Sequence, residues 1–196
     1  MRRLSFLAAL LVLAAFVTGA SAQAATWVID ENHSSVTFHV RHFFTKVPGG
    51  FLQFAGTVDY DPAKPEAGSV TVTIDAASIS TRNERRDNHL RSADFFDVET
   101  FSTLVFESTK VVKGEGNALT VEGNLTMHGV TKPVTLAAAY LGSNERTAGF
   151  EATGTVNRKD FGIVWNRALD AGGMMLGDDV DITITIEANV PEETKS

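Results

Sequence analysis

The chain has 196 residues, a formal net charge of −7 at pH 7 and no cysteine. An acidic balance argues against nucleic acid and against adsorption to anionic lipid surfaces. The absent thiols exclude cysteine nucleophiles, thiolate-held iron–sulfur clusters and covalent c-type haem, so stability must come from a packed core.

Residues 1–22 are predicted to be a secretory signal peptide. Arg2 and Arg3 form a cationic start, Leu4 to Val17 is almost wholly apolar, and Ala20, Ser21 and Ala22 form a small-residue cleavage site. The apolar run falls short of the roughly 20 residues a spanning helix needs. Cleavage after Ala22 or Ala24 is therefore expected, releasing residues 23–196 as one domain in the periplasm with no stable membrane anchor. No cysteine follows the run, which excludes a lipid-anchored lipoprotein.

The rest of the chain alternates apolar and polar residues. Val36, Phe38 and Val40 share one face and Thr37, His39 and Arg41 the other, the period of a strand with one apolar side. The same pattern predicts strands near 34–44, 51–60, 68–76, 103–112, 118–127, 132–141, 148–157 and 179–190. Turn residues separate them at Asp61-Pro62, Gly114 to Asn117, His128-Gly129 and Gly142 to Asn144. Eight strands with hairpin-length connections predict an all-β fold, an antiparallel sheet that closes on itself. Thr81 to Glu84 has the spacing of a capping box, so 85–92 is read as a short polar helix laid across one barrel end. The other irregular stretch runs from Gly154 to Gly177, with a turn at 157–162 and a loop at 171–173.

The strand pattern also sorts side chains to the inside. From the first two strands these are Val36, Phe38, Val40, Phe51 and Phe54; from the next two, Val70, Val72, Ile74, Leu104 and Phe106; from the remainder, Val121, Leu136, Phe150, Ile182 and Ile184, with Trp165 from the irregular stretch. An eight-stranded barrel can be filled by such side chains or can hold one small ligand, and alternation does not choose between them. A membrane barrel would need aromatic girdles at both interfaces. The chain has only two Trp and two Tyr, and the faces of Thr71, Thr73 and Asp75 and of Thr183, Thr185 and Glu187 read as solvated exterior.

No reactive constellation stands out. His33 and His39 share a face but lie about 20 Å apart along an extended strand, and His42 points to the other face, so no metal site is assigned. There is no G-x-S-x-G elbow and no phosphate-binding glycine loop. Asp94 and Asp97, and Asp178, Asp179 and Asp181, read as caps and solvated turns. No catalytic residue and no cofactor is assigned. One cluster is distinctive: Arg82, Arg85, Arg86, Asp87, His89 and Arg91 gather positive charge in an acidic chain. It reads either as a solvated helix face or as a mouth for a polar or anionic head group. The head-group candidates are Arg82, Arg86 and His89, with Asp160 from the second irregular stretch.

Motifs along the whole mature chain resemble the YceI family. They comprise Trp27, Asp30, His33 and Ser34; Gly49, Phe51, Phe54 and Gly56; Ser78 to Thr81; Arg86, Asp87, His89, Leu90, Ser92 and Asp94 to Asp97; Gly123, Leu125 and Thr126; Gly129 to Val134; and Arg158, Asp160 to Gly162 and Trp165. The chain departs in having Phe101 and Ser102 where the family usually has a proline before the next strand. The resemblance implies an extended, lipocalin-like eight-stranded antiparallel barrel. It also implies that an isoprenoid, quinone or other long-chain lipid is the partner, with its tail inside and its head group near an opening. A homodimer is compatible with this reading. The alternatives are an enzyme acting on a lipid or quinone in the same cavity through Arg86, Asp87 and His89, and a surface interaction module with a filled barrel.

Overall fold

The computed structural model describes residues 25–169 and 174–191. The signal peptide expected at 1–22 and the loop expected at 171–173 lie outside these residues. The strands are β1 (Ala25–Ile29), β2 (Ser35–His42), β3 (Thr45–Phe51), β4 (Phe54–Tyr60), β5 (Ser69–Asp75), β6 (Ile79–Ser80), β7 (Thr103–Lys113), β8 (Ala118–Met127), β9 (Val130–Ser143), β10 (Thr147–Asn157) and β11 (Leu176–Asn189), with one α-helix, α1 (Glu84–Arg91). On β8, Leu119, Val121, Leu125 and Met127 are buried while Ala118 and Asn124 are exposed, the pleat dictated by the alternating sequence.

Eight strands close the ring in the order β1-β4-β5-β7-β8-β9-β10-β11, and β11 returns to β1. Every ladder is antiparallel. The closing seam is short, with Val28 opposite Asn189 and Ile29 opposite Ala188. Earlier in β11 the partner changes: Ile184 faces Val36 and Ile182 faces Phe38 on β2. β2 pairs with β3, and β3 pairs with β6. β1–β2 and β3–β4 are thus one long hairpin whose two arms both break midway, at 30–34 and at 52–53.

This corrects the expected starts of the first strands. Residues 25–29 and 45–51 are strand, although neither was foreseen as one. Pro48, Gly49 and Gly50 read as breakers, yet β3 meets β6 only through Gly50 and Phe51. The far side of Pro48 is a free edge, where a missing N–H costs nothing. The last strand begins at Leu176, so Asp178, Asp179 and Asp181 are strand residues, not a preceding turn. The helix cap also differs. Asn83 is the N-cap, its Oδ1 accepting from the Arg86 amide at 3.0 Å, and Arg82 is in the left-handed region (φ 59°). Thr81 lies before that turn, and its hydroxyl is taken by Asp87.

The break between β1 and β2 is held by polar contacts. Asp30 caps the 3-10 turn Glu31–His33, accepting from the Asn32 amide at 2.9 Å. His33 Nδ1 lies 2.9 Å from Asp30 Oδ2 and 3.8 Å from Glu187 Oε1. The Asp30 hydrogen bond, with the charges of Asp30 and Glu187, holds the imidazole above the ordinary histidine value. The same bond, with that of the Asn32 amide, holds the Asp30 carboxyl below its ordinary value. The imidazole therefore supports the native state most fully below the ordinary histidine value, and its support fades as pH rises through the raised one. Asp30's support is present above the ordinary carboxylate value and fades as pH falls through the lowered one. Asp30→Asn is expected to lower the His33 titration midpoint, read by NMR of the imidazole; an unmoved midpoint would show that Glu187 alone sustains it.

Candidate functional site

The barrel is hollow. A cavity of about 390 Å³ runs between the walls, within the size range of small-molecule sites. Val36, Phe38, Val40 and Phe51 border it from β2 and β3; Val70, Val72, Ile74, Leu104 and Phe106 from β5 and β7; and Val121, Leu136, Phe150, Ile182 and Ile184 from β8 to β11, with Trp165 beside them. Several of these residues, including Val72, Ile182 and Ile184, are only half-buried although they point inward. Their accessible surface faces the chamber. Phe54 is buried but does not border it, sitting where the bent hairpin turns from β3 into β4.

Small residues keep the lumen open. A Cβ on Gly49 would lie 2.3 Å from Phe38 Cζ, and one on Gly123 would lie 2.4 Å from Phe106 Cζ. Both phenyl rings therefore lie flat over a glycine of the neighbouring strand, along the wall instead of across the lumen. On β9 and β10, Ala138 and Ala152 face each other, and Gly154 follows on the same face of β10.

The two ends differ. At one, Tyr60, Tyr140 and Phe150 pack with ring centroids 5.0–5.6 Å apart. At the other, α1 and the turn after it meet the stretch around Trp165. His89 stands edge-on to Phe95 and Trp165 at 5.0 and 4.9 Å, and Phe96 stands edge-on to Phe51 at 5.7 Å. At this end the lining includes Thr81, Arg86, His89 and Arg158.

Each of these groups is positioned by the chain around it. Asp87, buried on α1, accepts from the Thr81 amide at 2.8 Å and from the Thr81 hydroxyl. Arg86 donates from Nε to Thr81 Oγ1 at 2.6 Å and from Nη2 to the Thr81 carbonyl at 2.9 Å. Its Nη1 has no partner among the described residues. His89 Nε2 lies 2.8 Å from Asp94 Oδ2.

Arg158 is a buried clamp. It donates from Nε to the Gly177 carbonyl at 2.9 Å, from Nη1 to the carbonyls of Ile163 and Trp165 at 2.7 and 2.8 Å, and from Nη2 to Asp178 at 3.3 Å. Burial pulls its pKa down, and the charge of Asp178 opposes that pull. Asp178 is itself held below the ordinary carboxylate value, first by the Lys159 hydrogen bond.

The four head-group candidates thus separate. Arg86 and His89 border the cavity, whereas Arg82 and Asp160 are exposed and do not. Thr81, Leu90, Phe95 and Phe96 border it without having been assigned from sequence. The paired aromatics between Asp94 and Asp97, directly after a polar helix, were the available signal.

A closed eight-stranded antiparallel barrel with a hollow, largely apolar interior is a lipocalin-like architecture. The chain belongs to the YceI-like domain family, whose model matches residues 27–188. It is 44% identical over 156 residues to protein YceI of Salmonella arizonae, covering 76% of this chain and 81% of that one. Among solved structures, BcnA of Burkholderia cenocepacia is similar with a TM-score of 0.75 at 27% identity, over 82% of this chain and 99% of that one. A polyisoprenoid binding domain from Saccharophagus degradans has a TM-score of 0.66 at 16% identity, over 86% and 100%, a likeness of fold alone.

Proposed function

We propose that the protein binds a long-chain isoprenoid or similar amphiphilic lipid in the periplasm, to sequester or carry it. The tail lies in the barrel and the head group sits at the α1 end, against Arg86. The observation that carries this reading is an apolar chamber at whose α1 end a pinned guanidinium presents an Nη1 without a partner among the described residues. The signal-peptide pattern supports export, and a family relationship to proteins of the YceI type supports a lipid as ligand. The energetics are favourable: burying about ten tail carbons yields on the order of 8 kcal/mol, and immobilising the chain offsets several of these.

A binding role is favoured over an enzymatic one by what the polar groups already do. His89 is held by Asp94, Arg158 is held by three carbonyls and Asp178, and Asp87 is buried against Thr81 instead of bordering the chamber. A filled barrel acting only through its surface is disfavoured by the hollow itself.

Native mass spectrometry of protein purified from its own cell envelope should show a co-purifying lipid of several hundred daltons. Trp165 fluorescence should shift when that lipid is removed and restored. Arg86→Ala should weaken capture of a lipid with an acidic head group about tenfold or more and leave capture of a plain hydrocarbon unchanged. Repeated recovery of lipid-free protein would overturn the reading, and equal loss for both ligands would remove Arg86 from the head-group site.

A further inference from the structure

The β2–β3 turn is built against its own turn chemistry. Its central residues are Phe43 and Phe44. Phe43 is in the left-handed region (φ 51°), a position that favours Gly, Asn or Asp and is costly for a bulky side chain. Phe44 is fully exposed and packs on nothing. A turn that is both strained and apolar at its tip contributes little to the barrel and calls for a role outside it.

The surroundings say what that role is. The tip projects from the end that carries α1, where Phe43 N–H donates to the Met175 carbonyl and Met175 N–H to the Arg167 carbonyl. Met174 is exposed beside them, and Val164, also exposed, lies on the same loop as Arg167. Arg41 and Lys46 flank the phenylalanines in sequence. Lys46 is taken by Asp181, but Arg41 and Arg167 have no ion pair among the described residues. Two arginines without an ion pair therefore stand beside an aromatic point, with Asp178 near enough to feel the charge of Arg41. The base of the same hairpin belongs to the chamber, since Val40, His42 and Val47 border it together with Met175.

We propose that the Phe43–Phe44 tip inserts into the surface of a bilayer containing anionic phospholipid, reversibly docking the α1 end of the barrel there so that a lipid passes between membrane and chamber. A small apolar wedge with cations at head-group depth is the chemistry of peripheral membrane attachment. A protruding tip also suits a soft bilayer better than the concave surface of a folded partner would require. This inference rests on the lipid-binding reading for its purpose, and its test does not.

The test uses the mature chain and vesicles of equal parts phosphatidylcholine and phosphatidylglycerol, read by co-sedimentation. The wild type should bind, and more weakly as salt rises or when phosphatidylglycerol is omitted. Phe43→Asn with Phe44→Ser, which relieves the turn and keeps the barrel, should lose about tenfold or more of the binding while uptake of farnesol from detergent micelles is unchanged. Phe44→Trp should show a blue-shifted emission with the vesicles and quenching by brominated acyl chains. Ile184→Trp, which fills the chamber, should bind vesicles as the wild type does, so failed lipid uptake and failed docking read out separately. Absent vesicle binding, undiminished binding by the double variant, or attachment to native envelope membranes that protease treatment abolishes would each overturn the proposal, the last by pointing to a protein partner.

Discussion

Replacing Ile184 with tryptophan should abolish lipid uptake while leaving the barrel folded. Ile184 faces Val36 and Ala152 across its two ladders and borders the cavity. An indole there enters empty space above an alanine, so it escapes most of the roughly 1–3 kcal/mol that overpacking a dense core costs. The ligand loses the room that the ring takes. Displacing even four methylenes removes roughly 3 kcal/mol of transfer free energy, a loss of about a hundredfold or more. Native mass spectrometry for bound lipid and urea unfolding for stability separate the two effects. A folded Ile184→Trp protein that still co-purifies with the same lipid would place the tail elsewhere.

Arg158→Ala is the substitution with the largest expected effect on stability. It strips the carbonyls of Ile163, Trp165 and Gly177 of their donor and leaves Asp178 to Lys159 alone. Each buried carbonyl left without a donor costs roughly 1–3 kcal/mol, whereas the Asp178 arm, 40% exposed and still held by Lys159, adds little. Arg158→Lys keeps the charge but lacks the planar fork that reaches several acceptors together, so an intermediate loss is expected. Because Asp178 is held below the ordinary carboxylate value, its contribution is present above that value and lost as pH falls through the lowered one. Acid should therefore narrow the difference between wild type and Arg158→Ala. Urea midpoints at neutral and acid pH test both points, and a loss below about 1 kcal/mol at neutral pH would contradict the clamp.

The direction of the side chains was legible in the sequence. Val70, Val72 and Ile74, and Ile182 and Ile184, point inward as their alternation requires, since a pleated strand offers no other arrangement. Whether the inward space is filled was not legible. That depends on cross-strand register, which sets Phe38 over Gly49 and Phe106 over Gly123 and brings Ala138 opposite Ala152. Alternation within one strand carries no information about volume shared between strands. Pro48 hid β3 because a breaker is harmless on an edge, and edges are decided by topology. Arg158 was visible as a charge but not as a clamp, because its acceptors are carbonyls that any sequence would supply. The positive cluster dissolved for a similar reason. Arg86, itself exposed, borders the chamber from α1, whereas Arg82 lies before the N-cap and does not.

The seam between β1 and β11 has a consequence for how the protein is made. Val28 and Ile29 wait for Ala188 and Asn189, partners at the far end of the sequence. A chain synthesised from its N-terminus can form its hairpins as they appear, but the ring cannot close until the final strand has arrived. Such distant pairing is slow, and until it forms the inward face of every strand is exposed along an open edge. The chamber is therefore a property of the finished chain only, and a lipid that binds across the seam would act as a late template for closure.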